Sequence, residues 1–135
     1  MVFRILKKVF GGDVVTIPDP ADYELKPVRS FYTKVVGVTK RNADGRERQK
    51  VIARCRVDDL LLLIREKDNP HDPNAIAVYR ATNEQIGYIS ADIAEELAPD
   101  MDSDVPISVR ISDLTGGTPE KPSRGVNLEI RIFKP

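Results

Sequence analysis

From Phe31 onward the chain is a succession of short apolar segments, each closed by turn-forming residues. Phe31–Val38 (FYTKVVGV) is rich in β-branched and aromatic residues and predicts a strand. Leu60–Ile64 is an apolar run of buried-strand length. Ala75–Tyr79 and Gln85–Ile89 predict two strands joined by a turn near Asn83. Ile107–Leu114 and Val126–Phe133 predict two more, separated by the Gly- and Pro-rich stretch 115–125. Asn42-Ala43-Asp44-Gly45 is a turn, because Asn, Asp and Gly tolerate positive φ. In Asn69–Asn74 (NPHDPN) each proline pushes the residue before it out of the helical region, which makes a stiff loop. Ser90 is placed to cap a helix running to about Ala98, with Asp92 in its first turn and Ile93, Ala94, Leu97 and Met101 on its buried face. Residues 47–56 fit either a helix face (Val51, Ile52, Cys55) or strand alternation (Val51, Ala53, Cys55, Val57), and the short helix is the preferred reading. Seven or so short strands with one or two short helices predict a mainly β fold, either a small barrel or a strongly bent sheet.

A chain of 135 residues has room for one modest core. Residues 1–30 read as an N-terminal arm and linker, and residues 31–135 as the barrel domain. Within the arm, Val2, Ile5, Leu6 and Val9 stand at helical spacing opposite Lys7 and Lys8, so the segment is a short basic amphipathic helix or a strand, interrupted by Gly11-Gly12. It is expected to pack on the body or on a second copy of the chain, which would make a homo-oligomer. Pro18, Pro20 and Pro27 predict an extended linker over 13–30. No apolar run approaches the ~20 residues of a membrane helix. The opening MVFRILKKVF lacks the apolar core of a secretory signal. The single cysteine, Cys55, excludes an internal disulfide and reads as a small buried apolar residue, so a cytoplasmic protein is expected. One histidine with one cysteine cannot close a structural zinc site, and no GxxxxGK[ST] phosphate loop is present. No cofactor or metal is expected.

The formal net charge is zero, with 21 basic and 21 acidic residues. That zero conceals a segregation. Residues 34–56 hold eight basic and two acidic groups, net +6, whereas residues 66–104 hold two basic and ten acidic, net −8. The basic segment, with Lys34, Lys40, Arg41, Arg46 and Arg48, is a candidate contact for an anionic partner. The acidic run 92–104 falls on the predicted helix and its exit.

Four pieces stand in order: Val35-Val36-Gly37-Val38; Leu63-Ile64-Arg65-Glu66 leading into Asn69-Pro70-His71-Asp72-Pro73-Asn74-Ala75-Ile76-Ala77-Val78; Ile86-Gly87-Tyr88-Ile89; and Ala94 through Leu97-Ala98-Pro99. This array resembles the HIRAN domain over about residues 33 to 133, with REKDNPHDPNAIAV followed by IGYI as its most specific part. Closest in layout are the stand-alone bacterial members, which share the segment Thr39–Gln49. The resemblance implies a modified OB-like β-barrel. It also implies a pocket which, in the eukaryotic fork-remodelling helicases, grips single-stranded DNA at a free 3′ end. On that pattern Asn69, His71 and Asp72 occupy the loop that meets the terminal hydroxyl, Tyr88 lies near the same pocket, and Thr39 and Lys40 follow the first strand; Asn74, in the same loop, is a further candidate. The helicases carry Arg then Tyr where this chain has Thr39 and Lys40, and Tyr where it has His71. A lysine meets a phosphate but does not stack a base as tyrosine does.

The residues alone support the same class of partner: a basic segment, a few aromatics, and in Asp72 a carboxylate able to accept a hydrogen bond from a hydroxyl while repelling a phosphate. The expected function is therefore non-catalytic binding of single-stranded DNA at or near a 3′ end, linked by the resemblance to DNA repair or replication restart, with a helicase or nuclease as a further partner. Two alternatives stay open. One is a protein-interaction or oligomerisation domain. The other is a metal-dependent phosphodiesterase built on Asp68, His71 and Asp72 with Asp58, Asp59 and Glu66 nearby in sequence, although no complete catalytic constellation is visible.

Overall fold

The computed structural model describes residues 4–10, 13–17 and 26–133. β1 (Arg4–Phe10) and β2 (Asp13–Ile17) form a two-stranded antiparallel sheet. The open choice between helix and strand for the arm thus resolves to strand over Arg4–Phe10. The linker expected over 13–30 gives way to a strand over Asp13–Ile17, because Val14, Val15, Thr16 and Ile17 are all β-branched. The Gly11-Gly12 break, Pro18 and Pro20 lie outside the described residues.

The remaining strands close into an antiparallel barrel. They are β3 (Arg29–Val36), β4 (Leu60–Arg65), β5 (Ile76–Arg80), β6 (Gln85–Ile89), β7 (Ile107–Thr115) and β8 (Gly125–Ile132), in the order β3-β6-β5-β4-β7-β8. β3 makes the closure. It pairs with β8 from Arg29↔Ile132 to Lys34↔Asn127, then crosses to β6 through Val35↔Ile89 and Val36↔Tyr88. The barrel is filled by alternate residues of each strand, among them Leu61, Leu63, Ile76, Val78, Ile86, Val109, Ile111, Leu128 and Ile130. Each such side chain, fully buried, contributes about 1.5–3 kcal/mol.

The apolar run of β4 is buried on both faces. Leu61 and Leu63 point into the barrel, while Leu62 and Ile64 form a second cluster outside it with Ala77, Tyr79 and Tyr88. The backbone of β2 runs alongside β4.

Two helices complete the domain. α1 (Arg48–Ile52) follows the turn at Asn42–Gly45 and buries Val51 and Ile52, so the helical reading of residues 47–56 is the one adopted. α2 (Ala91–Asp102) buries Ala94, Leu97 and Ala98, with Ile93 and Met101 packed on the same core. Two details differ from expectation. Ser90 stands at the N-cap but makes no bond to a helix amide; its hydroxyl meets the Asp92 carboxylate, which that bond and the first helix amides hold below the usual carboxylate range. The helix also runs past Ala98 and through Pro99 to Asp102. Its last turn survives the proline because Met101 packs on the core and Asp102 is tied to Arg65. No helix among the described residues is long and apolar enough to cross a membrane.

Candidate nucleic-acid interface

The loop between β4 and β5 is held from both ends. Glu66 donates its backbone N–H to Ala75 O at 2.9 Å, and Ala75 returns one to Asp72 O at 3.1 Å. Within the loop Asn69 Oδ1 accepts the N–H groups of His71 (2.9 Å) and Asp72 (3.2 Å), and Asp72 Oδ1 accepts that of Asn74 (2.8 Å). These are the side-chain turns that Asn and Asp form readily. Arg65 anchors the whole: its Nη1 donates to Pro73 O and Ala75 O, both at 3.1 Å, and its Nε to Asp102 Oδ1 at 3.0 Å. Arg65 and Glu66 therefore do not form the ordinary surface pair that adjacency suggests. Successive residues of a strand point to opposite sides, and Arg65 goes to α2 while Glu66 goes to Tyr88.

Tyr88 is half-buried on β6, its hydroxyl donating to Glu66 Oε1 at 2.9 Å. Burial is the main influence raising its phenol pKa, with the Glu66 carboxylate adding to it. Asn69 Nδ2 donates to the same Glu66 oxygen at 3.0 Å, so one carboxylate joins the loop to the ring. Gly87, immediately before it, permits the contact of β6 with β3: a Cβ there would collide with Val36 O and lie 2.5 Å from Val35 Cγ1. Arg48 comes from the opposite wall. Its Nε donates to Asn42 Oδ1 at 2.7 Å, its Nη1 to Gly37 O at 2.9 Å, and its guanidinium lies over the Tyr88 ring, 5.4 Å from the centroid. Gly37, at φ +74°, leaves room for that guanidinium, which would sit 3.0 Å from a Cβ.

Between these walls lies a cleft of about 470 Å³, lined by Val36, Gly37, Lys40, Arg48, Asn69, His71, Asp72, Ala75, Tyr88, Ile89 and Ala91. Six of the sequence-derived candidates meet there: Lys40, Arg48, Asn69, His71, Asp72 and Tyr88. Their availability differs. Asn69 spends both side-chain atoms inside the loop, and Asp72 uses one oxygen on Asn74. Arg48 is a buried strut, 6% exposed. Lys40 and His71 are exposed at the rim.

The other candidates lie elsewhere. Asn74 contributes a backbone N–H to Asp72 rather than a side chain to the cleft. Thr39 is exposed on the loop before it and does not line it. Lys34 stands on the outer face of β3. Arg41 turns to Gly45 O (2.8 Å) and Glu47 (3.3 Å), and Arg46 to Asp44 and Glu84. The segment charged +6 in sequence thus does not gather into one groove. Glu84, 7% exposed, draws Arg46, Arg54 and Arg80 together, while Arg41, Arg46, Lys50 and Arg54 line a separate depression beside α1. The residues missed in sequence were the floor, Val36 and Ile89, and the linker Glu66. Register supplied the floor, because Val36 is the strand partner of Tyr88.

Cys55 is buried, and burial raises its thiol pKa. Asp58 and Asp59 line a different depression with Arg80. Among the described residues no group of three or more His, Cys, Asp or Glu side chains is placed to hold a metal ion.

The geometry is that of a small antiparallel barrel carrying one loop-walled cleft, and comparison with known proteins agrees with it. The HIRAN domain of human HLTF superposes with a TM-score of 0.59 at 20% identity, covering 92% of this chain and 81% of that one. The crystal structure of a protein from Lactobacillus plantarum superposes with a TM-score of 0.59 at 22% identity, covering 78% of this chain and all of that one (100%). At these identities the likeness is one of fold. No curated protein matches the chain in sequence. The HIRAN domain profile matches residues 28–129, from the start of β3 into β8 and through every wall of the cleft, and the chain is a member of the HIRAN domain family.

Proposed function

We propose that the cleft binds the end of a single-stranded DNA, with the 3′-hydroxyl turned toward Asp72. The family is one of nucleic-acid-binding modules. The observation that carries the finer reading is the convergence on one cleft of an aromatic ring (Tyr88), a rim cation (Lys40) and a carboxylate with one oxygen uncommitted to the loop (Asp72). Tyr88 stacks the terminal base, held by Glu66 and Arg48. Lys40 meets a phosphate. Asp72 accepts a hydrogen bond from the hydroxyl and repels a terminal phosphate. A cleft of about 470 Å³ has the size of a small-ligand site, suited to a strand end rather than to a duplex. His71, at the rim, adds a second and smaller ring. On this reading the protein serves ends exposed in DNA repair or replication restart, alongside a helicase or nuclease.

Fluorescence anisotropy with matched oligonucleotides ending in 3′-hydroxyl or 3′-phosphate tests the proposal. Micromolar or weaker binding is expected for the hydroxyl, weaker binding still for the phosphate, and loss of that preference in Asp72→Asn. Equal and negligible signals at low salt would overturn it.

A further inference from the structure

The outer face of β3 leads away from the cleft. Alternate residues of a strand share a face. Val35 is buried in the barrel, so Val36, Lys34 and Tyr32 are on the outside, with Val36 42% and Tyr32 70% exposed. Val36 belongs to the cleft floor. From it, two steps of about 6.6 Å reach Lys34 and then Tyr32.

Both side chains are unspent. Lys34 makes no ion pair among the described residues. Tyr32 gives the core almost none of its ring, and its hydroxyl has only a long 3.5 Å contact with Glu129 Oε2. The neighbouring strand adds charge. Asn127 and Arg131 stand opposite Lys34 and Ser30, and Arg110 and Arg131 share the single carboxylate of Glu129. With Lys34, three cations face two anions on this surface, Glu129 opposite Tyr32 and Asp113 opposite Asn127. An exposed aromatic in a cationic surround is the pairing that single-stranded nucleic acid uses.

We propose that this face is a second subsite for the strand whose end enters the cleft: Lys34 meets a backbone phosphate and Tyr32 stacks a base a few nucleotides from the terminus. The inference rests on the reading of the cleft given above and extends it by a direction of travel and a length requirement. The chain then grips a strand of several nucleotides along one face of the barrel, from Tyr88 over Val36 to Tyr32.

The test compares oligodeoxythymidines of three and ten nucleotides, each with a free 3′-hydroxyl, on the full chain. Wild type is expected to bind the ten-mer roughly tenfold or more tightly than the three-mer. Tyr32→Ala removes most of that advantage, in line with one stacked base. Lys34→Gln weakens the ten-mer severalfold and flattens its slope of log affinity against log salt by about 0.7. Neither variant changes three-mer affinity, whereas Tyr88→Ala weakens both lengths. Ten-mer binding by Tyr32→Ala and Lys34→Gln equal to wild type would overturn the track and leave the cleft reading standing. So would a change of oligomeric state in Tyr32→Ala without a change in affinity, which would make the tyrosine a contact between copies. If wild type binds neither length, the cleft reading fails and the track falls with it.

Discussion

Arg65 and Asp102 are joined at two points, Nε to Oδ1 at 3.0 Å and Nη2 to Oδ2 at 3.3 Å, across the gap between the end of β4 and the last turn of α2. Arg65 is 7% exposed and also holds two carbonyls of the cleft loop, so this pair couples the acidic helix to the wall of the candidate site. Asp102 is 37% exposed on its side chain, so water screens part of the attraction. Asp102→Ala is expected to destabilise the fold by about 1–3 kcal/mol, chiefly by leaving a buried guanidinium without its partner. Loss of protection in the backbone amides of Ala75 and Asn69, read by hydrogen exchange, checks that the loop loosens with it.

Tyr88→Phe and Tyr88→Ala separate anchoring from stacking. The phenylalanine keeps the ring and drops the bond to Glu66, and is expected to cost about 0.5–1.5 kcal/mol of stability with only a modest loss of affinity. The alanine removes the platform, and oligonucleotide affinity is expected to fall by roughly tenfold or more. Urea unfolding and anisotropy on the same preparations distinguish the two effects.

Gly87 is the point at which β6 must approach β3. A Cβ there would collide with Val36 O, and backbone on a barrel seam cannot yield as a surface side chain does. Gly87→Ala is expected to destabilise by about 1–3 kcal/mol, as overpacking does. The chemical shifts of Val36 and Tyr88 should move most, because their pairing is the local closure.

Glu84 and Asp102 give the stability its acid limb. The bond from Thr82, together with Arg54 and Arg80, outweighs desolvation and holds Glu84 below the usual carboxylate range. The hydrogen bond from Arg65 is the main influence doing the same for Asp102. A carboxyl whose pKa is lower folded than unfolded stabilises the fold fully above its unfolded value. That stabilisation is lost as pH falls through the folded value. The melting temperature should therefore hold above about pH 4.5, near the unfolded carboxyl values, and decline below it. In Glu84→Gln the three arginines lose their shared counter-charge. The variant is expected to melt lower at neutral pH and to show a shallower decline in acid.

Much of this fold was legible in the sequence for a local reason. Strand positions follow from β-branched residues bounded by turn formers, and β4, β5, β6, β7 and β8 lie within about a residue of the segments so predicted. The stiffness of Asn69–Asn74 was legible too, because proline and Asx geometry act within a few bonds. The β2 strand, the last turn of α2 and the partner of Arg65 were not. The first was hidden by the prolines that follow it, although its β-branched run is local; the other two depend on contacts with segments distant in sequence.

The same division runs through the site. The sequence by itself determined that a loop rich in Asn and Asp would stand before one strand, that Tyr88 would follow a glycine on another, and that cations would cluster in residues 34–56. Tertiary structure alone decided which of those groups meet. Antiparallel pairing of β3 with β6 set Val36 beside Tyr88, and the barrel's closure brought Lys40 and Asp72 to the same cleft. It also drew part of the basic block away from the cleft, because Glu84 sits buried where Arg46 and Arg54 can both reach it. A count along the chain sums charge without distance. Folding decides which opposite charges lie close enough to cancel, and leaves Lys40 at the cleft rim and Lys34 on the strand that leads from it.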